Sequence, residues 1–174
     1  MFLESQQSEG RFKDCVLRTL TEPRPLGTGG AVAYAVQQLR LTESFLVTNA
    51  DTWLDSSIEK VVDAKMPAMA IVHAGNSKRY GSVRIQQNKV VAFEEKQHSV
   101  GPGWINAGLY HLQAELFQDW NSRPFSLERQ LFPKLASGGQ LRAVPLEADF
   151  IDIGVPEDYF RFCRWIESNK AGVL

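Results

Sequence analysis

The segment Leu26-Gly27-Thr28-Gly29-Gly30-Ala31 is a glycine-rich turn that opens a helix, and it constrains the chain more than any other. Val32, Ala35, Val36 and Leu39 follow at helical spacing over Ala31 to Arg40. Phe45-Leu46-Val47-Thr48-Asn49-Ala50-Asp51 then reads as a buried strand that ends on a carboxylate. A glycine turn presents backbone N–H groups with no Cβ in the way, a surface against which phosphates and nucleobases sit well. An Asp at the carboxyl end of a neighbouring strand is placed to hold a divalent metal beside them. Together the two segments point to nucleotide chemistry.

The rest of the chain alternates strands with helices. Cys15 to Thr21 alternates and predicts a strand, and Phe45 to Ala50 is apolar on both sides, as in a parallel sheet covered by helices. Ser56-Ser57-Ile58-Glu59 resembles a capping box opening a helix to about Lys65, stopped by Pro67. Ala68 to His73 is a strand. Ser82 to Gln86 and Lys89 to Glu94 form a hairpin turning at Gln87-Asn88, which suggests a substrate-binding insertion. Trp104 to Leu112 is a strand, Ser126 to Ala136 a helix, Leu141 to Pro145 a short strand, and Phe150 to Gly154 a strand running into a turn. Pro156 starts the last helix, with Tyr159, Phe160, Cys163 and Ile166 on its apolar face. The pattern predicts a single α/β domain over residues 1–174 with a largely parallel sheet.

Composition narrows the function classes. With 174 residues the chain is long enough for one domain with a real core and short for two. A net charge of −1 leaves no electrostatic footprint for nucleic acid, and no basic run suggests a membrane surface. Apolar runs are too short to span a bilayer, and the first residues lack the basic and apolar regions of a signal peptide, so a cytoplasmic protein is expected. Two cysteines, Cys15 and Cys163, predict no disulfide framework and no zinc site, and both read as small buried or half-buried side chains.

Several groups carry potential chemistry. Asp51 and Asp152 both follow apolar strand residues. If their strands end at one edge of the sheet, they can share a Mg²⁺ that takes its remaining oxygens from water and phosphates. Each could instead cap the turn or helix after it. Glu94-Glu95-Lys96 is either a solvated strand end or part of a site. Tyr80-Gly81 offers a close backbone approach or a plain turn. Asn106-Ala107-Gly108, inside an apolar strand, marks either a bulge with a satisfied amide or a face toward a polar ligand. His73, His98 and His111 do not cluster, and no triad spacing suggests covalent catalysis. Trp53, Trp104, Trp120 and Trp165 read as core or rim.

In their order these segments resemble the sugar-1-phosphate nucleotidyltransferases. The matching stretches are Glu22 to Ala31, Val47 to Asp51, Tyr80-Gly81, Phe93 to Lys96, Asn106 to Tyr110 and Phe150 to Tyr159. With Ser126-Leu127-Glu128 and Phe150 to Gly154, the chain is most similar to the mannose- and heptose-1-phosphate guanylyltransferases. The resemblance implies a Rossmann-like, GT-A-type α/β fold with a mixed, mostly parallel sheet flanked by helices. It also implies Mg²⁺-dependent joining of a nucleoside triphosphate to a sugar 1-phosphate, with release of pyrophosphate. By this resemblance Glu22, Leu26, Gly27 and Thr28 bind the nucleotide, with Glu22 and Gly27 at the base. Asp51 and Asp152 bind Mg²⁺; Gly81, Glu95 and Asn106 hold the sugar; Lys96 neutralises its phosphate, so that Asp51, Lys96 and Asp152 carry the catalysis. The sugar phosphate is already an anion at neutral pH, so the site must supply position and charge neutralisation rather than a general base. A carboxylate at Glu22 can accept from both N1–H and the 2-amino group of guanine, which favours GTP.

The family opens with a strand, a glycine-rich loop ending in Thr-Arg-Leu and a nearby Pro-Lys, and nothing in Met1 to Asp14 resembles them. The expectation is therefore an N-terminally incomplete member of the fold. It would be a fragment, a chain completed by a partner polypeptide or a homo-oligomer, or a non-catalytic sugar-nucleotide-binding or regulatory subunit.

Overall fold

The computed structural model describes residues 5–6, 15–55, 58–75, 82–94 and 101–170. Helix α1 spans Gly27–Leu39, followed by β1 (Ser44–Thr48), β2 (Thr52–Leu54), the short α2 (Ile58–Val62) and β3 (Ala68–Ala74). The hairpin β4 (Ser82–Gln86) and β5 (Lys89–Glu94) leads to the long β6 (Gly103–Gln113) and a 3₁₀ turn at Ala114–Phe117. A π-helical turn, Leu127–Leu131, runs into α3 (Phe132–Ser137), and β7 (Arg142–Leu146), β8 (Phe150–Asp152) and α4 (Pro156–Lys170) complete the fold.

The main sheet has the order β1-β6-β3-β7-β5-β4, and β2 pairs with β8 in a separate two-stranded sheet. The sheet is mixed, but not mostly parallel: among the described strands only the β3–β7 pairing is parallel. Apolar residues on both sides of a strand report cover on both faces and carry no information about direction, which is why the expectation failed. Nor is β1 buried on both faces. Among the described strands it lies at the edge of the sheet, with alternating exposure, and Leu46 is 42% exposed. Cys15 to Thr21 joins no strand, and Cys15 itself is exposed.

Two apolar clusters flank the sheet because alternate residues of β3 point to opposite faces. Met69 and Ile71 join Val36 of α1, Val83 and Val90 of the hairpin, and Phe132 and Leu135 of α3. Ala68, Ala70 and Val72 face Val61 of α2 and Ile105 and Leu109 of β6. The hairpin turns at Gln87 and Asn88, both at positive φ, as a two-residue turn requires. Its ends pair with β6 (Ser82 opposite Ile105) and with β7 (Lys89 opposite Arg142), so it is part of the core rather than an appendage.

Helix α4 docks through Phe162 and Trp165 onto Trp53 of β2, with the two indole centroids 4.4 Å apart. Tyr159 and Phe160 are correspondingly exposed, against the expected face, because the large indole of Trp53 selects the buried stripe. The ring of Phe132, fully buried, lies 4.7 Å from Tyr110 and stacks near Phe93, joining α3 to both β6 and β5. Replacing Phe132 by Ala is expected to cost about 3–5 kcal/mol through lost burial and the residual cavity. Equilibrium urea unfolding measures it.

Candidate active site

Strand β6 sets the position of the first carboxylate. Gly108 sits at φ +71, and a side chain there would meet the Asn49 amide at 2.9 Å and the Thr52 hydroxyl at 3.1 Å. The bare backbone lets the loop after β1 cross β6 closely, fixed by Asn49 N–H donating to the Gly108 carbonyl at 2.9 Å. Asp51 follows in that loop, and Thr52 pairs with Asp152 across β2 and β8. Ile153 N–H donates to the Asp51 carbonyl at 2.8 Å, and Gly154 N–H donates to Asp152 Oδ1 at 2.8 Å.

The two carboxylates converge on Gly154. A Cβ at this position would lie 3.0 Å from Asp152 Oδ1 and 3.1 Å from Asp51 Oδ2. Both oxygens thus border a space that only glycine leaves open. Two hard oxygen donors with room for water and phosphate oxygens are a donor set suited to Mg²⁺. Among the described residues no group of three or more His, Cys, Asp or Glu could hold a metal ion.

Asn106 settles the question posed by Asn106-Ala107-Gly108. Its Oδ1 accepts from Gly108 N–H at 3.0 Å and its Nδ2 donates to the Tyr110 hydroxyl at 2.8 Å. The amide thereby holds an irregular strand, opposite a register shift between Met69 and Ile71 of β3, and its second N–H has no partner among the described residues. Tyr110 is fully buried. Burial raises its phenol pKa well above the ordinary 10.0, the Asn106 hydrogen bond opposes that rise, and the nearby carboxylates of Glu128 and Asp51 add to it. The hydroxyl therefore keeps its proton across the neutral and alkaline range.

The glycine turn uses its freedom differently from the expectation. Gly29 and Gly30 N–H both donate to the carbonyl of Phe125, at 3.0 and 3.2 Å, and Phe125 N–H donates to the Leu26 carbonyl at 2.9 Å. A Cβ on Gly29 would clash with the Phe125 ring, and one on Gly27, at φ +73, would be 2.7 Å from the Phe125 carbonyl oxygen. These glycines make room for another part of the chain. The backbone N–H groups of Gly27 and Thr28 have no partner among the described residues.

Side chains lock the same junction. Thr28 Oγ1 donates to Glu128 Oε2 at 2.7 Å and accepts from Leu127 N–H at 2.9 Å, while Ser126 Oγ donates to the same carboxylate oxygen at 2.7 Å. Glu22 Oε2 accepts from Leu26 N–H at 2.9 Å, which holds its carboxylate beside the turn, and Leu26 itself is buried. Phe125 and Glu128 as partners of the turn escape sequence reasoning. The motif Ser126-Leu127-Glu128 is the visible signal, but its partner lies a hundred residues away.

The structure therefore brings Asp51 and Asp152 together and sets Asn106 near them through Tyr110. It gathers Glu22, Leu26, Gly27 and Thr28 in a second corner, linked to the first by Glu128, which faces both Thr28 and the Tyr110 hydroxyl electrostatically. The expected sugar and phosphate residues Gly81, Glu95 and Lys96 lie outside the described residues. No helix among the described residues is long and apolar enough to cross a membrane.

The family model described as nucleotidyl transferase matches residues 1–169. The chain belongs to that family. A D-glycero-alpha-D-manno-heptose 1-phosphate guanylyltransferase of Campylobacter jejuni is 36% identical over 147 residues, covering 81% of this chain and 63% of the relative. A mannose-1-phosphate guanyltransferase beta-A of Xenopus laevis is 31% identical over 158 residues, covering 86% of this chain and 44% of the relative. Among solved structures, HddC from Yersinia pseudotuberculosis complexed with GMP-PN superposes with a TM-score of 0.79 at 30% identity, covering 95% of this chain and 73% of that one. A putative glucose-1-phosphate thymidylyltransferase from Bacillus anthracis shares the fold, with a TM-score of 0.73 at 15% identity over 92% of this chain and 69% of that one. The chain spans between about two fifths and two thirds of the length of these two guanylyltransferases.

Two outcomes follow for this member of the family. Gly27→Ala forces a side chain into a positive φ and against a backbone carbonyl, and should lower stability by about 1–3 kcal/mol in thermal or urea unfolding. Above pH 10 the unfolded phenol of Tyr110 loses its proton while the folded one keeps it. The unfolded state then binds fewer protons, and stability falls as pH rises beyond 10. Tyr110→Phe should flatten that alkaline decline relative to wild type in unfolding measured from pH 8 to 11.

Proposed function

We propose that the chain carries a nucleotidyl transfer site, in which a guanylyl group passes from GTP to a sugar 1-phosphate. The convergence of Asp51 Oδ2 and Asp152 Oδ1 on the open space at Gly154 is the observation that carries this reading. An oxygen of the sugar phosphate attacks the α-phosphorus in line, the bond from that phosphorus to the β-phosphate breaks, and pyrophosphate leaves. No proton transfer is needed, since the attacking oxygen is already ionised.

Asp51 and Asp152 would hold Mg²⁺, whose charge offsets that of the phosphates. Asn106 offers its remaining N–H to a sugar hydroxyl, with Gly81 and Glu95 as further sugar contacts and Lys96 beside the sugar phosphate. The free N–H groups of Gly27 and Thr28, with Leu26 buried beneath them and Glu22 held beside them, receive the nucleotide. The choice of guanine is supported by Glu22, whose second carboxylate oxygen is left for a base, and by the guanylyltransferase names of the relatives. The Rossmann-like, GT-A-type description of the fold belongs to the same reading, as does cytoplasmic residence.

The alternative role is sugar-nucleotide binding without turnover, alone or as a regulatory subunit. Pyrophosphate release in Mg²⁺, with the four nucleoside triphosphates and a panel of sugar 1-phosphates, separates the two. Turnover that falls at least about 100-fold in Asp51→Asn and Asp152→Asn, in folded proteins, is the expected outcome. Binding of a GDP-sugar with no pyrophosphate release from wild type would assign the non-catalytic role. A second outcome is expected at Gly154: the Ala variant crowds both carboxylates and should weaken Mn²⁺ binding, read by electron paramagnetic resonance, by about tenfold or more. Unchanged Mn²⁺ affinity would remove the metal from this reading.

A further inference from the structure

The carboxylate site lies at the end of the sheet where β1 finishes and β6 begins. The opposite end, where β3, β5 and β7 begin and β6 finishes, holds a cavity of about 380 Å³ of contrasting character. Lys65, Lys89 and Arg142 line it together with the amides of Gln113 and Gln140 and the backbone of Gly139, and no acidic residue does. Its volume falls in the range of small-ligand sites. None of the three cations has an ion-pair partner among the described residues.

The sheet register makes this arrangement costly without a ligand. Lys89 of β5 lies directly opposite Arg142 of β7, and like charges in directly opposed cross-strand positions repel. Lys65 adds a third positive charge just before β3. The turn Gly138-Gly139-Gln140 closes α3, and a Cβ at Gly139 would lie 3.7 Å from Lys89 Nζ. The carbonyl end of α3 attracts this ammonium, which accounts for Lys89 but for neither Arg142 nor Lys65.

We infer that this cavity binds a phosphate anion carrying at least two negative charges, a phosphate monoester or a diphosphate, shared between Lys89 and Arg142. Arg142 supplies the planar fork that suits phosphate, Lys65 and Lys89 supply point charges, and the Gln113 and Gln140 side chains supply neutral N–H donors. The ligand converts the Lys89–Arg142 repulsion into two attractions. The site shares no residue with the carboxylates or the glycine turn, so its occupancy is independent of the nucleotidyl transfer reading.

The test is titration of the full chain with inorganic phosphate and with pyrophosphate, without Mg²⁺, followed by amide shifts in ¹⁵N-correlated NMR and by calorimetry. Saturable shifts are expected at Lys89, Val90 and Gly139 to Arg142, with affinity falling as NaCl rises. Tighter binding of pyrophosphate assigns a diphosphate-bearing ligand, and comparable binding of the two assigns a monoester. Arg142→Gln and, separately, the exposed Lys89→Gln should each weaken binding about tenfold or more, whereas Asp51→Asn should leave it unchanged. The thermal midpoint without ligand should not fall in Lys89→Gln, since that change relieves the repulsion. Absence of shifts at these amides with both anions, or wild-type affinity in both Gln variants, overturns the inference.

Discussion

The site depends on one irregularity in β6. An eleven-residue strand that pairs with β1, β3 and β4 would ordinarily run straight, and its neighbours would keep their distance. Asn106 bends it by taking the Gly108 N–H onto its own side chain, and Gly108 at φ +71 presents bare backbone to Asn49 and Thr52. The loop that carries Asp51 can therefore lie against the sheet rather than swing into solvent. β2 then continues into its pairing with β8, which brings Asp152 alongside. Trp53 buttresses the arrangement from behind, through its packing with Phe162 and Trp165 of α4. Asn106, Gly108 and Gly154 thus make a single device for setting two like charges side by side.

Two carboxylates side by side repel, and the exposure of Asp51 to water screens that repulsion. The Asp152 Oδ1 bond to Gly154 N–H contributes in the same direction. The buried Tyr110 hydroxyl, in contrast, sits among carboxylates and stays neutral for that reason as well as for its burial. The site thus presents carboxylate oxygens held in place and a phenol that keeps its proton.

Much of this was legible in the sequence, and the failures have definite causes. Most of the elements and the Gln87-Asn88 turn follow from periodicity and turn chemistry, though the strand expected over Cys15 to Thr21 is absent and β2 was not foreseen. The acids at strand ends left the meeting of Asp51 and Asp152 conditional on both strands ending at one edge, which the structure supplies. Strand direction did not follow, because β6 runs against β1 and β3 without any mark in its composition. The purpose of Gly29 and Gly30 was half legible. Glycine announces a close approach, but the approaching group is Phe125, and nothing local distinguishes a carbonyl of the same chain from a phosphate of a ligand. The face of α4 was misread for a similar reason, since its buried stripe is chosen by Trp53, which lies outside the helix. Local pattern identifies where something must come close, and tertiary partners decide what does.

Net charge conceals a further organisation. A total of −1 describes a chain with no electrostatic preference, yet its charges are sorted along the strands. Asp51 and Asp152 occupy one end of the sheet, with Glu128 within electrostatic reach through Tyr110, while Lys65, Lys89 and Arg142 collect at the other. Under the proposed transfer, an anionic substrate at the acidic end would need a cation to reverse the sign locally, whereas the basic end attracts anions by its own charges. The strands between them keep the two ends of opposite sign apart on one small fold.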